Sequence, residues 1–540
     1  MKYTLMLDNW LYNAGILGFI NIIKNAEEND LIDDDSLEIN GNTITFDSGI
    51  LENFEDYYFD YLAYKHEDNL SYFKVIKTIH KILECEKIYP SLKDDVRYIK
   101  EKCKSDSIKT AFKITNVTNL KFIVFKETKT SNNLDEVKSN MEYLLEVLTR
   151  DDVKQEYIQK NIMFTLLNRF YSGKGIFNKN NYKFAMRPLF KEAFLNNISK
   201  FEDRKENKKY HNCIACDNKL YHSDDKNTLT FLTLNGVDVK RKASHFYDLS
   251  CDEYICPICN LMYLCAVAGI NYNIKAQHGL FINASSSIDK LIKANTPGRY
   301  HSIQEQKNKS IFNLIDAYQQ EHIENYEYVI RDTFQIVKLF AIDQKLKVEF
   351  DILNTTNMEI LYDKKDLLKG LIPIKYNFGT DKKPEWVNFY DIAIDIILRN
   401  DNIFKFIEKC LNKNFNNETV ISILININTR SEGMKKFYAK FRNFEYTALQ
   451  LAVKMEENKK NKLYYTLKSA ARTKDVATFI DALSAAISAN SCSMIVNMED
   501  LFDDEYFEKL AYSFISKLLL DRNTANKRLK EKYNAEGDNN

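Results

Sequence analysis

Two pairs of cysteines are the residues of this sequence best suited to chemistry. Cys213 and Cys216 lie in "CIAC", Cys256 and Cys259 lie in "CPIC", and 39 residues separate the two pairs. A gap of two residues lets both thiolates of a tight turn face one metal ion, and two such turns complete a tetrahedral sulfur site. The spacing therefore predicts a structural Zn²⁺ site, in which four thiolates leave no position open for a reactive water.

The sequence around the two pairs raises one alternative function, indicates how the pairs are brought together, and contains other residues that could serve as ligands. A thioredoxin-type redox function needs only one CxxC on a βα unit and would leave the second pair unexplained. Residues 228–242 alternate around Asn235–Gly236, which predicts a hairpin that returns the chain to the metal. Substitute ligands close in sequence are Cys251, Cys265, His211, His222 and His245.

A basic and aromatic segment, Arg169–Phe190, precedes the cysteines. It reads "RFYSGKGIFNKNNYKFAMRPLF" and holds five basic residues, six aromatic residues and no carboxylate. Basic side chains contact phosphates and aromatic rings stack on bases, so the segment predicts nucleic-acid binding. Its glycines match neither the P-loop nor the GxGxxG fingerprint, and a solvated loop with inward-facing rings is the alternative. The candidate residues are Arg169, Lys174, Phe177, Asn178, Lys179, Asn180 and Lys183.

Two further basic clusters extend the positive character of the chain. One lies between the cysteine pairs and consists of Lys240, Arg241 and Lys242. The other runs from Lys435 to Lys474, where eleven basic residues accompany three acidic ones. A helical bundle with one basic side can follow a nucleic-acid backbone, whereas an ordinary solvated face is the alternative. The candidates in the second cluster are Lys435, Lys436, Lys440, Arg442, Lys459, Lys460, Lys462 and Lys468.

The apolar periodicity predicts an α+β multidomain protein that must hold these residues in place. A mixed α/β N-terminal region carries an inserted zinc-ribbon-like hairpin module, and an all-α helical bundle follows it. Within the N-terminal region, Trp10 to Ile23 have helical spacing and Asn40–Gly41 marks a hairpin turn. The predicted domains are 1–204 (α+β, with the basic segment), 205–270 (zinc-binding module), 271–390 (remainder of the body), 391–533 (helical bundle) and 534–540 (disordered tail).

The composition excludes several classes of protein. The 76 basic and 76 acidic residues cancel, so only the distribution of charge can indicate a partner. No signal peptide and no apolar run of about 18 residues is present, which predicts a cytoplasmic protein without a membrane span. Ten cysteines without a secretory signal favour reduced thiols over a disulfide framework. No HD, Walker A, HExxH or GxSxG motif occurs, which favours a binding or scaffold protein over an enzyme.

Four groups of motifs occur in an order that is similar to one known family. They are "NWLYNAGILGF" (9–19), the pairs "CIAC" and "CPIC", "YSGKGIFN" with "RPLF" (171–190), and the closing helices "NKLYYTLKSAARTKDVATFIDAL" (461–483) and "YFEKLAYSFISKLL" (506–519). In this order they resemble the CXXC–CXXC large subunit of type I-B Cascade, the CRISPR interference complex. The motifs span nearly the whole chain.

The resemblance implies a non-enzymatic subunit at the foot of Cascade, beside the 5′ handle of the CRISPR RNA. Such a subunit recognises the short motif that flanks the target (the PAM), helps to form the R-loop and recruits the effector. The implied partners are the CRISPR RNA, target double-stranded DNA, the Cascade backbone and handle-binding subunits, and the helicase-nuclease effector. The CRISPR RNA reads the target by pairing, while the protein reads the flank and the backbone.

The resemblance also implies roles for individual residues. Lys174, Asn178, Lys179 and Asn180 would approach the flanking duplex, where an Asn can pair with a base edge. Either Phe177 or Tyr171 would wedge between base steps. The basic residues from Lys435 to Lys468 would line the displaced or the target strand.

An internal translation start is a further expectation from the resemblance, because this subtype often makes its small subunit from within the large-subunit gene. Met434 in "EGMKKFYAKF" opens the basic helical region and would give a product of residues 434–540, with Met455 as the alternative start. Two other functions compete with the whole interpretation. One is a stand-alone zinc-finger DNA-binding protein outside CRISPR, and the other is a metal-dependent nuclease with scattered carboxylates.

Overall fold

The computed structural model describes most of the chain and divides it into two compact units, Met1–Asp351 and Ile352–Asn540. Helices dominate both units, and the strands form small sheets, which confirms the predicted α+β class. None of the described helices combines the length and the hydropathy that a membrane span needs. The described residues are 1–33, 36–117, 134–171, 175–177, 179–222, 227, 254–295, 311, 334–342, 345–399, 401–413, 415, 417–427, 434–492, 497–503 and 506–537.

The first unit begins with a small antiparallel sheet and a buried helix. The order of its strands is β1-β3-β2, and the predicted hairpin is present. Because Asn40 pairs with Thr43, the turn lies at Gly41–Asn42, one residue later than predicted. Gly41 has a φ of 60°, which glycine adopts without a steric penalty. The elements are β1 (Lys2–Met6), α1 (Trp10–Glu28), β2 (Leu37–Asn40) and β3 (Thr43–Asp47).

A helical layer follows and has a core of its own. Helices α3 to α7 bury their apolar faces against one another, with Val75, Ile99 and Tyr157 fully inside. The chain then continues from α7 through a π-helical turn, Met163–Leu167, to Phe170. The helices are α2 (Phe54–Lys65), α3 (Ser71–Glu84), α4 (Leu92–Cys103), α5 (Asp106–Ile114), α6 (Leu134–Thr149), α7 (Asp151–Ile162), α8 (Met186–Phe190) and α9 (Asn196–Glu202).

The cysteine region and a four-stranded sheet complete the first unit. The order of the strands in this sheet is β6-β7-β8-β9, and β7 pairs antiparallel with both β6 and β8. The predicted hairpin at 228–242 lies outside the described residues. The elements are β4 (His211–Asn212), β5 (Lys219–Leu220), α10 (Pro257–Gly269), β6 (Asn271–Asn273), β7 (His278–Asn283), α11 (Ile288–Ala294), β8 (Phe334–Ile342) and β9 (Lys345–Leu353).

Helices make up most of the described part of the second unit, as the periodicity predicts, and a short hairpin accompanies them. Its central helix, α20, packs against α16, α17 and α18. The elements are α12 (Thr355–Asp363), α13 (Lys365–Leu371), β10 (Lys375–Asn377), β11 (Trp386–Asn388), α14 (Phe389–Arg399), α15 (Ile403–Asn412), α16 (Glu418–Ile427), α17 (Met434–Lys454), α18 (Glu457–Thr473), α19 (Val476–Ala489), α20 (Phe507–Leu518) and α21 (Arg522–Gly537).

Two predicted boundaries differ from the structure. The helical unit begins at Ile352 and not at residue 391, because α12 and α13 bury their apolar faces against α14 and α16. The predicted disordered tail also begins too early, since α21 continues to Gly537. The residues before that glycine include Ala and Glu, which favour the helix, and glycine is a poor helix former.

Candidate metal centre

The four predicted cysteines converge on one point of the first unit. The Sγ atoms of Cys213, Cys216, Cys256 and Cys259 all lie within 4.8 Å of one another. The Sγ atoms of Cys216 and Cys256 are 3.7 Å apart, whereas a disulfide bond is about 2.05 Å long. Four sulfurs bound tetrahedrally at about 2.3 Å from a metal are roughly 3.8 Å from one another. The thiols are therefore spaced as ligands of one ion.

The first cysteine pair is held by a tight turn between β4 and β5. The amide of Cys213 donates to the carbonyl of Asn218 at 2.9 Å, and the amide of Asp217 donates to the carbonyl of Cys213 at 2.9 Å. Asp217 has a φ of 57°, a left-handed conformation that Asp tolerates better than most residues. The amide of Ile214 also donates to the carbonyl of Tyr254 at 3.0 Å, which brings the first turn beside the second pair.

The second cysteine pair begins a helix. Cys256 is the N-cap of α10, and its Sγ accepts from the amide of Cys259 at 3.3 Å. Pro257 occupies the first helical position, where a missing N–H costs nothing and the fixed φ suits the helix. The positive end of the helix dipole lies at both sulfurs and stabilises their thiolate forms.

Hydrogen bonds also reach the other three sulfurs. The amide of Cys256 donates to Cys213 Sγ at 3.3 Å, and Asn218 Nδ2 donates to Cys216 Sγ at 3.3 Å. The hydroxyl of Tyr12 lies 3.3 Å from Cys259 Sγ and is the donor when that sulfur is a thiolate. Such donors stabilise bound thiolates and orient them.

Close packing of α10 on α1 ties the centre to the core. A Cβ at Gly15 would overlap the carbonyl oxygen of Met262, and one at Gly18 would overlap that of Cys265. From the other side, a Cβ at Gly269 would overlap the carbonyl oxygen of Ala14. The two backbones therefore touch along their length. A metal bound at the start of α10 would stabilise this helix pair as well as the cysteine turns.

The far end of α10 is fixed by a lysine. Lys65 Nζ donates to the carbonyls of Ala268 and Ile270, at 2.6 Å and 3.0 Å. A cation at the C-terminus of a helix interacts favourably with its dipole, although burial lowers the pKa of Lys65 to about 7. Both ends of α10 are thus anchored, by Cys256 at the start and by Lys65 at the end.

The substitute ligands do not join the centre. In the described part of the chain, the four predicted cysteines are the one group of this kind that could hold a metal. Cys265 is buried further along α10, and His222 contacts the carbonyl of Lys205 at 3.0 Å. The ring of His211 lies against that of Tyr254, with centroids 5.2 Å apart. Cys251 and His245 lie outside the described residues.

The comparisons with known proteins concern this same segment. Residues 206–271 match the family model of a CRISPR-associated protein, Cas_CXXC_CXXC. The segment is similar to CRISPR-associated CXXC–CXXC proteins. It contains all four clustered cysteines and all of α10. No curated protein and no solved structure matches the chain. The match supports the CRISPR-associated part of the resemblance, while the type I-B large subunit stays a prediction.

Next to the CXXC–CXXC segment, the basic segment Arg169–Phe190 packs inward to a large extent. Arg169 Nη1 donates to the hydroxyl of Tyr272 and the carbonyl of Ile274, both at 3.4 Å. The rings of Tyr171 and Phe177 are buried and stacked, with centroids 4.9 Å apart. The wedge predicted for Phe177 or Tyr171 is therefore wrong in this conformation, because burial of both rings against the core stabilises the fold.

Sequence reasoning missed the lysine that holds this segment. Lys160 on α7 is fully buried, and its Nζ donates to the carbonyls of Tyr182, at 2.9 Å, and Phe184. Burial lowers the pKa of Lys160 to about 8. A signal was present in the sequence, since Val153, Tyr157 and Lys160 lie at i, i+4 and i+7 on the buried stripe of α7.

Few of the described side chains of the basic segment are exposed. Asn180, Lys183 and Phe184 face solvent, and Lys183 Nζ lies 5.1 Å from the centroid of the Phe184 ring. These residues remain candidates for nucleic-acid contact. Lys174, Asn178 and the side chain of Lys179 lie outside the described residues, as do Lys240, Arg241 and Lys242.

The basic candidates of the second unit divide between surface and core. Lys460 is buried, bonds the carbonyl of Leu520 at 3.2 Å and pairs with Glu457 at 2.8 Å. Its predicted contact with a strand is therefore wrong, because the ammonium is already held inside the helical bundle. Arg442, Lys459 and Lys462 are exposed and Lys468 is half-buried, whereas the side chains of Lys435, Lys436 and Lys440 lie outside the described residues.

Proposed function

We propose that this protein is the large subunit of a type I-B CRISPR Cascade complex and acts in antiviral defence without catalysing a reaction. The observation that carries the proposal is the four-thiol centre inside the segment that matches CRISPR-associated CXXC–CXXC proteins. The order of motifs along the rest of the chain supports it. In this role the protein binds the handle of the CRISPR RNA, recognises the PAM and recruits the helicase-nuclease.

The ion of the four-cysteine centre is Zn²⁺ in this proposal. Four thiolates at tetrahedral spacing form the donor set that Zn²⁺ takes in structural sites. When bound, the ion cross-links the two cysteine turns, and the chain's own groups orient the sulfurs. With no position left for water or substrate, the ion serves the fold.

Contact with the PAM-bearing duplex is assigned to the tip of the basic segment. Asn180 and Lys183 are exposed there, and Lys160 fixes the carbonyls of Tyr182 and Phe184 beneath them. Lys174, Asn178 and Lys179 complete the predicted set. Because Lys160 holds the backbone at Tyr182 and Phe184, the exposed residues beside it can offer an amide to a base edge and ammonium groups to phosphates.

Co-purification tests the proposed role. The chain, expressed with the genes that neighbour its own, should retain a CRISPR RNA and Cascade subunits through affinity purification and gel filtration. A stand-alone zinc-finger protein would bind DNA without any of these partners, and a nuclease would cleave DNA when Mg²⁺ is added. Either result, without a bound RNA, would overturn the proposal.

Salt dependence of DNA binding tests the basic segment within the assembled complex. A Lys174→Ala/Lys179→Ala variant should lose two phosphate contacts, which flattens the slope of log K against log salt by about 1.8. Lys200→Ala, an exposed lysine on α9 outside the segment, is the matched control. An unchanged slope in the double variant contradicts the assignment.

The small subunit is proposed to start at Met434. Helix α17 begins at that residue, and α17 packs against α20 and α21 of the same product. Contacts to the preceding helices would be lost in the short form, among them the pairing of Glu418 on α16 with Lys517, at 2.8 Å, and with Arg528. Glu445, 3.6 Å from Lys517, remains as a substitute partner.

Mass spectrometry of the expressed operon tests the internal start. A product of residues 434–540 should appear and should vanish when the Met434 codon is changed to a codon that cannot initiate. The same change at Met455 is the control and should leave the product in place. Persistence of the product after the Met434 change rules out this start.

A further inference from the structure

An exposed tryptophan marks a surface of the second unit that shares only Lys462 and Lys468 with the predicted basic cluster. Trp386 on β11 is 68% exposed. Because it pairs with Asn377 across the hairpin and Tyr376 pairs with Val387, the rings of Trp386 and Tyr376 lie on opposite faces. Tyr376 packs on Phe415, with centroids 5.0 Å apart. The opposite face, with Trp386, is therefore directed to solvent.

The hairpin that carries Trp386 is basic and well anchored. Lys375 pairs with Asn388 and so shares the Trp386 face. Lys382 and Lys383 are exposed in the connecting loop. Asn377 Oδ1 accepts from the amides of Gly379, at 3.0 Å, and Glu385, at 2.8 Å, which closes that loop. A loop held in this way presents its ring and its ammonium groups with little further loss of conformational freedom.

A second exposed ring lies on α18. Tyr465 is 65% exposed and shares one helical stripe with Lys462, Ser469 and Arg472, which are also exposed. Lys468 lies beside the stripe, with its Nζ 5.7 Å from the centroid of the Tyr465 ring. No carboxylate occurs between Asn458 and Thr473. The stripe combines one accessible aromatic ring with cations.

The end of α15 connects the hairpin to α18. The hydroxyl of Tyr376 donates to the carbonyl of Lys413 at 2.7 Å, and Lys409 pairs with Glu385 at 3.4 Å. On the other side, Lys468 bonds Asn412 Oδ1. These contacts make β10–β11, the end of α15 and α18 one continuous surface within the second unit, named here the Trp386–Tyr465 surface.

The charge of the Trp386–Tyr465 surface suits an anion. On the hairpin, around the end of α15 and along the Lys462–Arg472 stretch of α18, the carboxylates are Asp381, Glu385 and Glu408, and Glu385 is already paired with Lys409. Against these three stand eight basic side chains. They are Lys375, Lys382 and Lys383 of the hairpin, Lys409 and Lys413 around the end of α15, and Lys462, Lys468 and Arg472 of α18. The surface therefore carries an excess of positive charge around two exposed aromatic rings.

We propose that the Trp386–Tyr465 surface binds single-stranded nucleic acid. Bases stack on Trp386 and Tyr465, and the surrounding lysines contact the phosphates. Stacking on a side chain requires a base face that is not covered by its neighbours, and unpaired strands offer such faces. A duplex would offer phosphates to the lysines but no uncovered base faces to the two rings. The inference rests on the proposed role in an R-loop complex, where opening of the target produces such a strand.

Tryptophan fluorescence gives a direct test, because Trp10 and Trp386 are the two tryptophans of the chain. In a Trp10→Phe background, addition of a (dT)20 oligonucleotide to the full 540-residue chain should quench the remaining emission from Trp386. Trp386→Ala and Tyr465→Ala should each weaken binding of the labelled oligonucleotide by about 5- to 150-fold, as expected for loss of one stacked base. Phe502→Ala, an equally exposed ring of the second unit, is the control and should bind as the wild type does.

The salt dependence of oligonucleotide binding tests the lysines of the hairpin. Lys382→Ala/Lys383→Ala should flatten the slope of log K against log salt by about 1.4 for a single strand. Unquenched Trp386 emission and unchanged affinity in both ring variants would overturn the inference. So would variants that keep oligonucleotide affinity but no longer assemble with a subunit, since that outcome assigns the surface to a protein partner.

The two proposals fail separately. If (dT)20 quenches the Trp386 emission but the chain never retains a CRISPR RNA or Cascade subunits, the Trp386–Tyr465 surface is supported and the proposed complex is contradicted. If the chain assembles normally but both ring variants bind (dT)20 with unchanged affinity, the complex is supported and the Trp386–Tyr465 surface is contradicted.

Discussion

The four-cysteine centre and the segment Arg169–Phe190 lie in the same unit, and both are conspicuous in the sequence, but they differ in what their side chains do. The thiols of Cys213, Cys256 and Cys259 are buried because they face one another. The rings of Tyr171 and Phe177 are buried because they face the core. The spacing of metal ligands along the sequence by itself indicates the geometry of the site. An aromatic residue among lysines, in contrast, is equally compatible with stacking on a base and with packing in the core.

The largest effect is expected from removal of the ion. Cys213→Ser/Cys256→Ser should abolish metal binding and unfold the turns at 211–222 and the start of α10, since structural zinc sites contribute about 10–16 kcal/mol in finger peptides. Elemental analysis measures the metal, and hydrogen exchange reports on α10. Cys492→Ser, a partly exposed thiol of the second unit, should retain full metal content. Full metal content in the double variant would contradict the centre.

The next effect separates packing from metal binding. Gly18→Ala should destabilise the first unit by about 3 kcal/mol, because its Cβ would overlap the Cys265 carbonyl and force α1 away from α10. Urea unfolding measures it, followed by Trp10 emission in a Trp386→Phe background for this variant and by Trp386 emission in a Trp10→Phe background for the control. Gly370→Ala on α13, whose Cβ would meet only Ile423 Cδ1 at 3.8 Å, is the control and should be neutral or stabilising. Equal stability of both variants would mean that the helices are not in close contact.

A third prediction concerns the buried cation beneath the basic segment. Burial lowers the pKa of Lys160 to about 8 in the folded protein, from an ordinary value near 10.5. Between these values the unfolded chain holds the proton that the folded protein has released, so stability rises with pH across that window. The wild type should therefore gain about 2–3 kcal/mol relative to Lys160→Met from pH 8 to 10.5, and nothing below pH 8.

Urea unfolding at several pH values measures this difference. Lys154→Met, an exposed lysine on the same helix, should track the wild type across the range. If Lys160→Met also tracks the wild type, the ammonium is not buried as the structure has it.

The smallest effect is expected from the hydrogen bond that joins α1 to the four-cysteine centre. Tyr12→Phe removes the hydroxyl that donates to Cys259 Sγ and should weaken metal binding by about 10-fold, the lower end of the effects of such partners. Competition with a chromophoric chelator measures the affinity. Tyr64→Phe, an exposed tyrosine on α2, should leave it unchanged. An unaltered affinity in Tyr12→Phe would show that the bond does not orient the ligand.

Local patterns account for the parts of the fold that were predicted. Apolar spacing located α1 and the helices of the second unit, and Gly41 located the first hairpin to within one residue. The four ligands were likewise readable, because a CxxC turn is a local geometry. Tyr12 was not, since it lies 247 residues from Cys259 along the chain. Lys460 could not be assigned to the interior either, because its partner carbonyl at Leu520 belongs to another helix.

The sequence by itself determined which residues could bind a metal and where helices and strands would form, because both depend on residue type and on spacing over a few positions. The tertiary structure decided which side of each pattern faces inward. It buried Phe177 and Lys160 and left Trp386 and Tyr465 in solvent. Burial depends on contacts between distant segments, such as those between Tyr376 and Phe415 or between α1 and α10. Such contacts exist only once the chain has folded.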